Sequence, residues 1–385
     1  MNYTILHLHD ELSLLDSTTK FEEYVDKAVE LGMKSIARTN HGNVYKWIEK
    51  LMYCKKKGIK YIHGCEIYLA ETLDEKIRDN YHTILIAKNE SGRKELHTLL
   101  DMSTKEDHMY YKNRITFDEF LNISDNIIKI SACLASPLSK LNHNNPYYEK
   151  LINKYDFLEI QYHNCKDQIE FNKHLYELSL KYNKPLVVGT DTHNLDEYHA
   201  ECRAIRLLSK NITFSNEDDF DLTFKSYDEL IGQFEIQNSL PMNIVLEAIE
   251  NTNKIADMCE EIELDLSFKY PILSDNDEKT LIDRTERMLN DKINKGIIDG
   301  NNPKYKENLK EELRVFKKLN MMSFMFFMSE MIEWCENNNI PTCPCRGSVG
   351  GSTLAYITGI TDVDPIKWGT VFSRFANEDR LEIGD

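Results

Sequence analysis

Two histidines stand one residue apart near the start of the chain, His7-Leu8-His9, in a run (residues 3–9) that reads as a β-strand. In a strand, residues i and i+2 leave the same face, so both imidazoles point one way with Cα atoms about 7 Å apart. The device returns at Asp191-Thr192-His193, after another apolar run. Between the two, other ligand-type side chains fall mostly where an apolar run ends. Asp16 lies in the loop after the first strand, His41 after the second, Glu66 within the third and Cys133 after the fifth. Imidazole, carboxylate and thiolate together suit zinc, manganese or iron, and they outnumber the ligands of one tetrahedral ion. Two or three ions a few ångströms apart would activate water and clamp the oxygens of a phosphate ester. Taken singly, each residue is as well explained by packing or by the surface. The reading rests on the set.

The elements that must position these residues follow from periodicity. Thr19 with Glu22 reads as a capping box opening a helix with Phe21, Tyr24, Val25, Ala28 and Val29 at helical spacing, stopped by Gly32. A strand at 34–39, a helix presenting Val44, Trp47, Ile48 and Leu51 and closed by Gly58, and a strand at 61–69 come next. Further apolar runs occupy 83–87, 127–131, 157–161 and 186–189, with a helix at 167–182. This alternation predicts parallel strands with crossover helices, and about seven of them predict a closed α/β barrel. Functional side chains of such barrels gather at the C-terminal strand ends. His82 precedes its strand, so pattern alone leaves it out. After residue 200 helical periodicity takes over. It breaks around Tyr270-Pro271, which sets expected domains of 1–270 and 271–385, the second with helices at 278–295, 305–319 and 323–338.

The bulk numbers narrow the partners. A net charge of −17 gives no overall field that draws in nucleic acid, so any DNA contact must come from a local basic patch or from metal ions. Nine scattered cysteines, without zinc-ribbon spacing, point to reduced thiols and a cytoplasmic setting. The N-terminus lacks a basic n-region, and the most apolar stretch, 321–328, is too short to span a bilayer, so no membrane partner is expected.

Residues 7–16, HLHDELSLLD, resemble the opening motif of the polymerase-and-histidinol-phosphatase (PHP) family, in the variant that heads bacterial DNA polymerase III alpha subunits. The similarity continues through TNHGN (39–43), GCEIYL (64–69), HTILIAKNESG (82–92), SACL (131–134) and TDTH (190–193). The resemblance implies a distorted (β/α)7 PHP barrel with a trinuclear site. Its nine liganding positions are matched in type by His7, His9, Asp16, His41, Glu66, His82, Cys133, Asp191 and His193. Asn40 stands where these polymerases usually carry aspartate, and is expected to alter how His41 is oriented without emptying the site.

Near the C-terminus, Pro344-Cys345-Arg346-Gly347-Ser348-Val349-Gly350-Gly351-Ser352 precedes the apolar helix Thr353–Ile357. Glycines let backbone amides approach an anion, a helix N-terminus favours negative charge, and Arg346 could grip a phosphate in bidentate fashion. The same residues also describe a tight turn before a capped helix. The stretch resembles the triphosphate loop of C-family replicative polymerases, followed by GITDVDP (359–365) and FSRFAN (372–377). That implies the beginning of a polymerase-beta-like nucleotidyltransferase palm, with Arg346, Gly347, Ser348, Gly350 and Ser352 at the phosphates. Cys345 replaces a glycine of the family pattern and is expected to narrow the loop. Asp362 and Asp364 read as turn and capping residues. Asp385 matches the first of the family's magnesium-binding aspartates, with Gly384 in place of proline; the others lie beyond residue 385, as do the fingers. One carboxylate cannot hold two magnesium ions, so these residues alone are not expected to polymerise DNA.

The reading that results is the front of a replicative polymerase alpha subunit with two or three zinc, manganese or iron ions in its barrel and magnesium in the palm only if further sequence completes it. The expected substrate is the 3′ end of single-stranded or primer DNA, cleaved as in proofreading. A second polypeptide carrying the rest of the polymerase is the expected partner. Two alternatives stand beside it: a silent PHP scaffold that docks a separate proofreading exonuclease, and a free-standing phosphatase of the histidinol-phosphatase kind.

Overall fold

The computed structural model describes residues 2–73, 77–78, 80–212, 220–267 and 269–379. The chain divides into two compact units, Met1–Leu264 and Asp265–Asp385, so the expected boundary at 270 lies six residues inside the second.

In the first unit the strands are β1 (Ser35–Arg38), β2 (Lys60–Ala70), β3 (Tyr81–Ala87), β4 (Met109–Tyr110), β5 (Lys112–Thr116), β6 (Ile127–Ile130), β7 (Leu158–Ile160) and β8 (Leu186–Val188). Residues 3–9 form no continuous strand. Ile5 bridges Ile36 and Leu8 bridges Thr192, with a bend at His7 between them. That bend breaks the alternation: Leu6 joins one apolar cluster and Leu8 another, although a regular strand would put both on one face.

The staves close into a ring. Segment 3–9 pairs with β1, β1 with β2, β2 with β3, β3 with β6, Ile130 of β6 with Phe157 beside β7, β7 with β8, and Thr192 returns to Leu8. This is the expected seven-staved barrel. One expectation fails: β3 runs antiparallel to both of its neighbours. Only residues 71–80 separate it from β2, and a parallel return needs a crossover of a dozen or more residues. Leu6, Ala37, Ile62, Ile84, Ile86, Ile128, Ile130, Phe157 and Val187 form a cluster with at least one member from every stave or its flank. The helix Met242–Met258 adds Ile255 and Ala256, and Lys60, the first residue of β2, donates to its Ala256 carbonyl at 2.8 Å. The helix therefore closes the barrel at the end where β2 begins. The other end is left for chemistry.

A local expectation is corrected at the first helix, Phe21–Glu30. It is capped at Lys20, whose amide donates to Glu23 Oε2 at 2.9 Å. Thr19 instead accepts from the Leu195 amide at 3.1 Å, and Glu22 pairs with Lys50. The helices expected at 167–182 and beyond residue 240 are found within a few residues, as Lys166–Tyr182, Met242–Met258, Asp277–Asn294, Lys304–Lys318 and Met322–Asn337. The described part of the second unit contains no strand; its helices share one core with Leu354 to Ile357. No helix among the described residues is long and apolar enough to cross a membrane.

Beneath the helix Trp47–Lys57, His63 of β2 is buried with Nε2 3.0 Å from His97 Nε2. One ring must donate and the other accept, so at most one of the two can carry a second proton. Burial, then His97, Arg38 and Arg93, hold the His63 pKa well below its usual value. A depressed histidine pKa means the unfolded chain binds more protons, so stability is full above about pH 6.5 and is lost as pH falls. Urea midpoints of wild type are expected to drop below pH 6.5 more steeply than those of His63→Phe; parallel profiles would refute the assignment.

Candidate metal centre

The open end of the barrel assembles all nine ligand-type residues. Glu66, fully buried on β2, is the hub. Its Oε2 lies 2.8 Å from His7 Nε2 and 3.5 Å from His9 Nε2. Its Oε1 lies 2.9 Å from His41 Nδ1 and 3.0 Å from His82 Nδ1. The carboxylate thus divides its two oxygens between two pairs of imidazoles. Asp191 Oδ1 is shared in the same way: it is 3.1 Å from His7, 3.5 Å from His9 and 3.1 Å from His193. Asp16 reaches His41 Nε2 at 2.7 Å and His193 Nδ1 at 3.6 Å, and Cys133 Sγ is 3.7 Å from His82 Nδ1.

His82, which pattern reading leaves out, is placed by the reversed strand. Because β3 is antiparallel, its N-terminal end meets the C-terminal end of β2, with Tyr68 opposite His82 and Glu66 opposite Ile84. His82 and Glu66 are diagonal neighbours on one face, within reach of a long side chain. The rule about C-terminal strand ends holds for the parallel staves only.

Strain collects here. Leu15, Ala132 and Asp191 adopt left-handed backbone, with φ of 70°, 61° and 46°. The first two immediately precede Asp16 and Cys133, and each such residue costs on the order of 1–3 kcal/mol. The loops give up stability to aim their ligands.

Further residues, missed in the sequence, hold the ligands in place. Glu159 of β7 is buried and 2.8 Å from His7 Nδ1, leaving Nε2 for the centre. Arg203 donates through Nε to the Asp16 backbone oxygen at 2.7 Å and to Oδ1 at 3.1 Å. The Asn40 side chain bonds Asp10, which also pairs with buried Arg38. An aspartate at 40 would set two carboxylates side by side, and asparagine removes that repulsion. Only residue types could have flagged Glu159 and Arg203, since neither has a motif.

The electrostatics match a cation site. Burial opposes charge on His7, yet Asp191 and Glu159 hold its pKa well above the usual value. His41, also buried, is raised to about 9 by Glu66 and Asp16. His9 goes the other way, to about 4, through burial and the neighbouring His41 and His193. His9 Nε2 is buried and has no hydrogen-bond partner among the described residues. Two groups, His7 with His9, Glu66 and Asp191, and His9 with His41 and His193, have ligand atoms within 4.8 Å of one another. An orphaned imidazole nitrogen facing two carboxylate oxygens fits a bound cation.

The glycine loop of the second unit, expected to bind phosphate, is partly spoken for. Ser352 Oγ donates to buried Glu312 at 2.7 Å, and the Thr353 and Leu354 amides donate to the same carboxylate at 2.8 and 2.9 Å. The helix N-terminus expected to meet a phosphate therefore meets Glu312. Arg346 and Gly347 are exposed, and Ser348 is half-buried. Cys345 does crowd the loop: a Cβ on Gly350 would lie 2.8 Å from its Sγ. Asp364 caps the helix Pro365–Trp368 and accepts from Tyr305 at 2.6 Å, and Asp362 is exposed. Asp385 lies outside the described residues.

The ring of staves, with one reversed strand and nine ligand-type residues at its mouth, overlaps residues 6–174, which the description "PHP domain" matches. The description "Bacterial DNA polymerase III alpha NTPase domain" matches residues 279–385. The chain is 32% identical to DNA polymerase III subunit alpha of Aquifex aeolicus, over its full length and 36% of that protein. It is 31% identical to the subunit of Borreliella burgdorferi, over 99% of this chain and 34% of that protein. A solved structure, PsfC from Pseudomonas syringae, is similar over 50% of this chain and 78% of its own, at 14% identity and a TM-score of 0.34. The chain belongs to the DNA polymerase III alpha family, of whose members it spans about a third.

Gly189 adjoins β8, and a Cβ there would lie 2.1 Å from the Glu159 carboxyl. Gly189→Ala is expected to cost about 1–3 kcal/mol by overpacking and to displace Glu159 from His7. Thermal melts beside those of Glu159→Gln check this; an unchanged melting temperature would show that the carboxyl moves aside freely.

Proposed function

We propose that the barrel mouth holds two or three zinc, manganese or iron ions and hydrolyses phosphodiesters at DNA 3′ ends, as the phosphoesterase part of a replicative polymerase. The observation that carries this is Glu66, one buried carboxylate dividing its oxygens between His7/His9 and His41/His82. A carboxylate shared in this way is the arrangement that keeps neighbouring cations close. His7, His9, Glu66 and Asp191 would hold one ion, and His41, His82, Asp16, His193 and Cys133 complete the remaining shell. Bound ions of this kind lower the pKa of water and polarise a phosphate.

The chain's own residues do the rest. Glu159 fixes the ring of His7, Arg203 fixes the carboxylate of Asp16, and Ser13 lies 3.0 Å from His9 Nδ1. Each keeps a ligand from turning away, and loss of such a support typically costs about 10–100-fold in metal affinity or activity. Polymerisation belongs to the longer relatives, and we assign it here only to an assembly in which the rest of the palm and fingers joins the second unit.

Purified protein is expected to carry two or three transition-metal ions by elemental analysis, and His9→Ala and Asp191→Ala fewer. Manganese- or zinc-stimulated nucleotide release from single-stranded 3′ ends should vanish with a chelator and in both variants. Full metal occupancy with no hydrolysis of DNA or of small phosphate esters would leave the scaffold reading standing.

Primer extension by residues 1–385 alone is expected to be nil. Extension by this chain, free of contaminants, would mean that the active site lies elsewhere than the aspartates after residue 384.

A further inference from the structure

The mouth of the barrel carries side chains that phosphate-ester hydrolysis does not require. The cleft above the ligands encloses about 1300 Å³, larger than most sites for small ligands. Tyr45 and Tyr111 line it and are 62% and 67% exposed. They come from separate elements. Tyr45 follows His41 in the turn before the helix Trp47–Lys57, and Tyr111 is the tip between β4 and β5. Tyr111 holds a left-handed φ of 60°, a conformation that glycine or asparagine adopts with less strain. The Tyr111 ring meets Arg78 and, at 4.7 Å between centroids, Tyr110, and is exposed beyond these contacts, which leaves ring surface for a further partner.

Positive charge accompanies the rings. The Arg78 guanidinium lies 4.0 Å from the centroid of the Tyr111 ring. Lys112 lines the cleft and donates to the Tyr68 hydroxyl at 3.3 Å, and the Tyr68 ring lies 5.1 Å from that of His82. Lys140 lines the cleft on the side of Cys133 and His143. The cleft lining is itself acidic, with Asp16, Glu66, Asp167, Glu170 and Asp191 against Lys112 and Lys140, so a polyanion would be drawn there by these two lysines only together with bound cations.

We propose that Tyr45 and Tyr111 are stacking platforms for bases of a single-stranded nucleic acid whose backbone is held by Lys112 and Lys140, with its terminal phosphodiester at the metal ligands. This rests on the phosphoesterase reading of the same site and names the residues outside the ligand set that would position its single strand. Two exposed rings on separate parts of one rim suit a polymer rather than one small ester. Bases offer their π-faces to such rings only when unpaired, and stacking of this kind accepts any base.

The test uses metal-loaded full chain and a fluorescein-labelled thymidine octamer with phosphorothioate links, which resist hydrolysis. Anisotropy should show Tyr45→Ala and Tyr111→Ala each weakening binding by about fivefold to a hundredfold. Lys112→Ala and Lys140→Ala should weaken it and flatten its salt dependence. An abasic octamer, with the phosphates but no bases, should bind wild type and tyrosine variants alike. Thymidine-octamer binding that is unchanged in both tyrosine variants overturns the proposal, and so does tighter binding of the matching duplex. Manganese-dependent hydrolysis of bis(p-nitrophenyl) phosphate by wild type is read in parallel. If that hydrolysis is missing in metal-loaded wild type, the phosphoesterase reading falls while the binding arm still decides the fate of the rim.

Discussion

The barrel depends on accommodating one buried carboxylate. Glu66 is fully enclosed and meets four imidazoles, two at each oxygen. Burial alone would push it toward the neutral acid, yet His82, His41 and His7 around it hold its pKa well below the usual carboxylate range. Those four rings come from the N-terminal segment, the loop after β1 and the start of β3. The staves must therefore close before the site exists, and an uncompensated Glu66 would cost several kcal/mol if any of them failed to arrive. Closure and ligand assembly are one event.

The reversed strand is the second constraint, and it explains where sequence reading reached its limit. Apolar runs located β1, β2, β3, β6, β7 and β8 to within a residue or two, because strands buried on both faces read as continuous hydrophobic stretches. Direction is not written in such a run. It is set by the connection, and the sequence-read bounds 61–69 and 83–87 leave thirteen residues, enough for a crossover, whereas the observed strands leave only the ten residues 71–80. The reversed direction of β3, and with it the place of His82, therefore had to come from the structure.

What else stayed hidden was hidden for physical reasons. The bend at His7 swaps the facing of the N-terminal segment, and no local propensity signals it, since Leu6 and Leu8 look equivalent in sequence yet enter different clusters. Thr19 with Glu22 matched a capping box by type and spacing, but tertiary bonds to Leu195 and Lys50 claimed both side chains. Glu159 and Arg203 lie far along the chain from the ligands they hold, and sequence distance conceals such partners. Eight of the nine ligand-type residues that meet at the mouth could be picked out by type and spacing, whereas His82 entered only through the resemblance.

The same physical rule has opposite consequences for bound ions in the two units. Buried polar atoms must be satisfied, and an unsatisfied one points to a missing partner. In the first unit Glu66 and Asp191 face histidines whose nitrogens cannot all be paired, and His9 Nε2 is left over. A cation bound between them would remove that imbalance. In the second unit Glu312 is also a buried carboxylate, raised in pKa by burial, but Ser352 and the amides of Thr353 and Leu354 bond it. Its anion site is filled from within the chain, so a triphosphate approaching the glycine loop would have to be held by Arg346 and the exposed face, with Glu312 repelling it from the helix N-terminus. Resemblance of the loop alone does not distinguish these cases; the occupancy of its donors does.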